Sequence, residues 1–201
     1  MKKIILVRHG DTFGEGDVLL RAGKHTDLDL VESEKGGRAG RYIKNLPVNI
    51  KHAFCGPLKR HYQTTLLINQ YVGFGEENIT VDERFNEVDY GNHDGMPERQ
   101  VVADLGREAL SLWENDAIPP PQWPIDTNSM KKNWRVFLRD ISANPNEGDI
   151  VVVTSSGNLR FLPSVIMPHP KINLKVDTGG IIILQTNLKG GWNILSWGIK
   201  P

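Results

Sequence analysis

Cysteine is almost missing from this chain: Cys55 is the only one in 201 residues. No internal disulfide can form, which fits a reducing compartment. Long apolar runs are missing too. The run Ile4 to Val7 follows Lys2-Lys3, but it is too short for the core of a signal peptide, and Arg8 ends it. Nothing approaches the roughly 20 apolar residues of a membrane span. There is no charge excess, with 24 Lys and Arg against 24 Asp and Glu, so the chain has no general attraction to nucleic acid or to an acidic membrane. A local basic pocket is compatible with that balance. No Gly-x-x-x-x-Gly-Lys-Ser/Thr loop occurs, and Gly14-Glu15-Gly16 is too short for a dinucleotide fingerprint. Internal repeats and low-complexity tracts are absent as well. The expectation from these absences is a cytoplasmic protein with no nucleic-acid and no membrane partner. The length suits one domain, 1–201, and leaves open whether copies associate.

What is present starts at the N-terminus. Ile4-Ile5-Leu6-Val7 is a continuous apolar run, the pattern of a strand buried on both faces of a parallel sheet. It stops at Arg8-His9-Gly10, and ligands of open α/β sheets sit beyond the carboxyl ends of strands. Further strands are expected at 50–55, 79–81 and 150–153, and near 172–176, 180–185 and 192–197. The last two are joined by Asn187-Leu188-Lys189-Gly190-Gly191, a hairpin sequence. Helices are expected over 37–46, 58–71, 97–113, 128–142 and 158–166. Residues 118–126 hold four prolines and exclude regular structure. The fold expected is α/β: a three-layer sandwich, with a mostly parallel central sheet, helices on both faces and an antiparallel edge. A helical and Pro-rich insertion occupies about 96–145. Its Trp113 and Trp123 are expected to cover the site, to form a subunit contact, or to be buried in the core.

A second apolar run, Ile150 to Val153, ends at Thr154-Ser155. If it pairs in parallel with the first, His9 and Ser155 lie side by side. Arg60 at a helix start and Glu87 in a loop could converge on the same edge. One nucleophile candidate, two fixed cations and one carboxylate suit phosphoryl transfer, where positioning and charge neutralisation do most of the work. A nucleophilic imidazole must be neutral, and neighbouring guanidinium groups favour that state for His9. The same cations are expected to keep Glu87 ionised until a bound phosphate offsets them.

Four stretches carry a resemblance to the histidine phosphatase superfamily, which includes cofactor-dependent phosphoglycerate mutases. Val7-Arg8-His9-Gly10-Asp11-Thr12 resembles its Arg-His-Gly signature. Cys55-Gly56-Pro57-Leu58-Lys59-Arg60 with Gln63-Thr64 is similar to the segment of its second phosphate arginine. Asn86 to Gly95 is similar to the stretch of its acid/base glutamate, and Val152 to Arg160 to that of its second histidine. The resemblance implies that His9 attacks phosphorus and becomes a phosphohistidine. It makes Glu87 the proton donor and acceptor, and it has Arg8 and Arg60 grip the phosphoryl oxygens. It implies no metal and no cofactor. The partner it implies is a small phosphorylated substrate or a phosphate ion.

The chain departs from that pattern in two places. Aligned on Gly157 and Arg160, the family's second histidine falls on Ser155, which donates a hydrogen bond but carries no charge near neutral pH. His93, six residues after Glu87, is a candidate replacement, against a plain loop role. Thr12 is a candidate phosphate donor, against a turn cap. His61 beside Arg60 is a pocket candidate, although it sits in no motif and is read first as packing. Glu15 stands near the place of an asparagine in the mutase subgroup, and Asp126-Thr127-Asn128-Ser129 lacks that group's Gly-Glu-Ser. The expectation is a phosphomonoester phosphatase. The alternatives are a catalytically impaired phosphate-binding module and, third, a phosphoglycerate mutase.

Overall fold

The computed structural model describes residues 1–143 and 148–201. The expected end of the insertion, near 145, lies outside them. Six strands form one sheet: β1 (Lys3–Arg8), β2 (Ile50–Cys55), β3 (Ile79–Val81), β4 (Asp149–Thr154), β5 (Ile181–Thr186) and β6 (Trp192–Ile199). Their order is β3-β2-β4-β1-β5-β6. β3, β2, β4 and β1 run parallel, while β5 and β6 add the antiparallel edge.

Side chains of a strand alternate between faces, so each apolar run feeds two cores. Ile5, Val7, Val151 and Val153 face one layer, with Ala39 and Ile43 of α1 (Glu34–Lys44) and Ile68 of α2 (Lys59–Val72). Ile4, Leu6, Ile150 and Val152 face the other. There they meet Trp113 of α3 (Glu98–Asp116) and Trp134 and Phe137 of α4 (Thr127–Ala143). This is the expected three-layer α/β sandwich.

Three local expectations are corrected. The segment near 172–176 forms no strand: β1 already has β4 on one side and β5 on the other, so no central edge is free to receive it. The helix expected over 158–166 is two short ones, α5 (Ser156–Leu159) and α6 (Pro163–Ile166), because Pro163 lacks the N–H that would continue the ladder. Helix α1 begins at Glu34, three residues earlier than expected, so its glycines lie inside it. Trp113 and Trp123 meet edge to face, centroids 5.6 Å apart, in the core.

Candidate active site

The chain from β1 reaches its neighbour β4 only after passing through β2 and β3, so the crevice at the carboxyl ends of β1 and β4 is where open α/β sheets hold ligands. Arg8 is in register with Thr154, and the His9 N–H donates to the Thr154 carbonyl at 3.0 Å. His9 and Ser155 therefore follow paired residues, as expected. Thr64 of α2 accepts the Gly10 N–H at 3.0 Å, tying the turn to that helix.

Arg8, His9, Arg60 and Glu87 line one cavity of about 720 Å³, together with Thr12, Tyr90 and Arg160. Nδ1 of His9 lies 2.8 Å from the Gly10 carbonyl oxygen. A carbonyl only accepts, so in the neutral ring Nδ1 carries the hydrogen and Nε2 keeps the lone pair. Burial holds the His9 pKa well below its ordinary value, with Arg60, Arg8 and His61 acting in the same direction.

Arg60 is fully buried at the start of α2. Its Nη1 donates to Thr26 O at 2.7 Å, and its Nη2 donates to Gly23 O at 3.2 Å and Ala22 O at 3.4 Å. Arg8 is held by Nη1 donating to Val176 O at 2.7 Å. The segment that failed to become a strand thus supplies a carbonyl to the site. The Nε groups of both arginines are buried and without a hydrogen-bond partner among the described residues. The first amide of α2, Lys59 N–H, is taken by Asp27 Oδ1 at 2.7 Å, so helix-start attraction for an anion is partly used up within the chain.

Glu87 accepts from its neighbour Val88 N–H at 2.9 Å through Oε1. Burial raises its pKa, against the pull of Arg60, the Val88 N–H, Arg160 and Arg8. Desolvation of the carboxylate is the largest effect; it acts toward the protonated acid, while the cations act toward the ionised form as expected. Tyr90, next to it in the cavity, is pushed up to about 12, first by burial and then by Glu87.

Thr12 lines the cavity. His93 does not. Its Nδ1 accepts from Trp123 Nε1 at 3.2 Å and its Nε2 lies 3.6 Å from Asp104, so the ring belongs to the α3 side of the core. Its candidacy as a replacement donor is corrected accordingly. Ser155 is fully buried and absent from the cavity lining; its hydroxyl lies 2.7 Å from Nε2 of His61. Glu15 is exposed and also outside the lining, so it does not oppose a bound anion there.

Two further residues escaped sequence reasoning. Arg160 closes one wall, with its guanidinium 4.2 Å above the Trp113 ring and Nη1 donating to Trp113 O at 2.7 Å. Its signal was its place at the end of the Val152 to Arg160 stretch, where it served only to align Ser155. Lys35 bonds Asp11 and Thr178 at the rim, both at 2.9 Å; nothing in the sequence pattern marks it. Among the described residues, no three His, Cys, Asp or Glu side chains are grouped to hold a metal ion, and no helix is long and apolar enough to cross a membrane.

The family model of the histidine phosphatase superfamily, branch 1, matches residues 4–200. The chain belongs to this superfamily. A 2,3-bisphosphoglycerate-dependent phosphoglycerate mutase of Parvibaculum lavamentivorans is 26% identical over 195 residues, covering 94% of this chain and 92% of its own. The fold is shared with a mycobacterial glucosyl-3-phosphoglycerate phosphatase in complex with inorganic phosphate: TM-score 0.76, 19% identity, covering 100% of this chain and 98% of the other. It is shared too with a phosphoglycerate mutase from Bacillus anthracis: TM-score 0.80, 17% identity, covering 98% and 92%. The superfamily frame thus contains both phosphatases and mutases.

Proposed function

We propose that this superfamily member is a phosphomonoester phosphatase that works through a phosphohistidine on His9. One observation carries the reading: a neutral imidazole with Nε2 free shares a cavity with two arginines whose buried Nε–H groups have no acceptor. Buried donors without partners are costly, on the order of 1–3 kcal/mol each. A phosphoryl group would satisfy both.

In the first step His9 Nε2 attacks phosphorus. The N–P bond forms as the P–O bond to the leaving alcohol breaks, and Glu87 gives its proton to that oxygen. In the second step Glu87 takes a proton from water, whose oxygen attacks phosphorus. The N–P bond breaks, and inorganic phosphate leaves. Burial of Glu87 supports the first role, because the carboxyl holds its proton more tightly than an exposed one. General acid–base help of this kind is worth roughly 10²–10⁴-fold in rate.

The alcohol part of the substrate would occupy the outer cavity, whose walls carry both signs: Arg21, Lys35, Arg160 and Lys175 against Asp11, Glu98, Glu114 and Asp177. That balance favours a polar, uncharged group over a second phosphate. The test is phosphate release from p-nitrophenyl phosphate and a panel of esters, with acid-quench detection of a phosphohistidine. His9→Ala should lose both signals. Turnover that survives His9→Ala would end the reading.

The mutase reading is favoured by the names of the relatives. It predicts transfer between phosphoglycerates that depends on a bisphosphorylated primer, whereas the phosphatase needs none. The reading as an impaired binding module draws on Ser155; it predicts phosphate binding without release.

A further inference from the structure

The reaction as written makes no use of His61. This residue is fully buried one position after Arg60. Its ring centroid is 5.6 Å from that of His9, tilted by 50°. Its Nε2 lies 2.7 Å from Ser155 Oγ, its hydrogen-bond partner on that side, and its Nδ1 lies against the backbone of Gly56. Ser155 follows the strand residue paired with Arg8, just as His9 follows Arg8. The backbone of Gly56 closes the far side so tightly that a β-carbon there would collide with the His61 ring.

We propose that His61 is a positioning residue for the phosphoryl transfer: clamped between Gly56 and the Ser155 hydroxyl, it backs the nucleophile ring and fixes the direction of the His9 lone pair. The inference rests on the phosphatase reading above. An imidazole can be turned about its Cβ bond by ordinary thermal motion unless its faces and edges are held. The His9 ring is held at one edge, by Gly10 O, and His61 supplies a packed neighbour. The pair also explains why Ser155 does not cap the helix it precedes: its hydroxyl is engaged sideways with His61. The close Oγ to Nε2 approach has a steric corollary. A larger side chain at 155 would need the space that the His61 ring fills, so one bulky ring fits there and two do not.

The experiment measures turnover of p-nitrophenyl phosphate and the rate of phosphohistidine formation in five proteins: unmodified, His61→Phe, Ser155→Ala, His61→Ala, and the double variant His61→Ala with Ser155→His. His61→Phe keeps ring volume but loses the hydrogen bond. It should lower kcat and the phosphohistidine rate about 10- to 100-fold, with KM changed less than about 2-fold, since the arginines are untouched. Ser155→Ala, the milder change, should do the same to a smaller degree and covers the case in which His61→Phe does not fold. The double variant should regain activity over His61→Ala alone. Unchanged kcat in both His61→Phe and Ser155→Ala, or a change confined to KM, would overturn the inference while leaving the phosphatase reading in place. Absence of any phosphohistidine in the unmodified protein would overturn both.

Discussion

Gly157 stands directly against the carboxylate of Glu87. Its N–H points to Oε2 at 3.4 Å, and a β-carbon on it would collide with Oε1 and sit 2.9 Å from Val88 Cγ2. The glycine is required by this close approach rather than by its backbone angles. Gly157→Ala should push the carboxyl away from the reacting centre. We expect kcat to fall on the order of 10²-fold, with KM for the ester nearly unchanged, because misplacing a catalytic group by about 1 Å costs about that much. Steady-state kinetics check this. A fully active Gly157→Ala would show that Glu87 is not the proton donor.

Arg60 should matter for stability as well as for turnover. Its two Nη groups serve three carbonyls of the loop 22–26. Replacing it with methionine removes the donors but leaves those acceptors in place. The expected loss is on the order of 2–4 kcal/mol in urea unfolding, alongside a large drop in phosphatase rate. A variant as stable as the parent would mean that water readily replaces the guanidinium.

Acid should weaken the fold through two rings. His9 and His61 both have pKa values held well below the ordinary value by burial, helped by Arg60. The unfolded chain protonates such rings near pH 6.5, and the folded chain does so only at lower pH. Between those points the unfolded state binds more protons, so stability falls as pH drops below about 6.5. Urea midpoints measured across pH 7.5 to 5 should show this slope, and His61→Gln should flatten it. For the same reason the acid limb of kcat/KM should lie below 6.5. An inflection above that value would contradict a neutral, buried nucleophile.

Cys55 should be inert. It is buried at the end of β2, and burial pushes its thiol up to about 11. The thiolate is the reactive form. Ellman's reagent should label the native protein only slowly, and label it fully in denaturant. Rapid native labelling would place the thiol within reach of solvent.

Much of the fold was legible because its strongest signals are local. The unbroken apolar runs at 4–7 and 150–153 could only be strands buried on both faces, and their polar ends marked the site. Arg8, His9, Arg60 and Glu87 were legible through their motifs. Other features depended on partners far along the chain. Residues 172–176 have strand-like residues, but β1, whose Arg8 reaches Val176, is already paired on both sides. His93 lay in the glutamate stretch and was the candidate donor, while His61 sat in no motif and was read first as packing, yet the fold sends the first to the Trp123 side of the core and the second against His9. The upward direction of the Glu87 shift was not legible, because charge can be read from residue types, whereas the desolvation that outweighs it depends on packing that only the assembled structure reveals.

The central place of β1 has a consequence for synthesis. Both of its sheet neighbours, β4 and β5, are encoded late, at Asp149–Thr154 and Ile181–Thr186. While the chain emerges from the ribosome, β1 waits unpaired until these later strands are made, its apolar faces exposed to chaperones. A chain truncated before residue 149 carries the His9 ring with no Thr154 carbonyl to receive its backbone N–H, so the cavity wall around that ring cannot be set until β4 has been made.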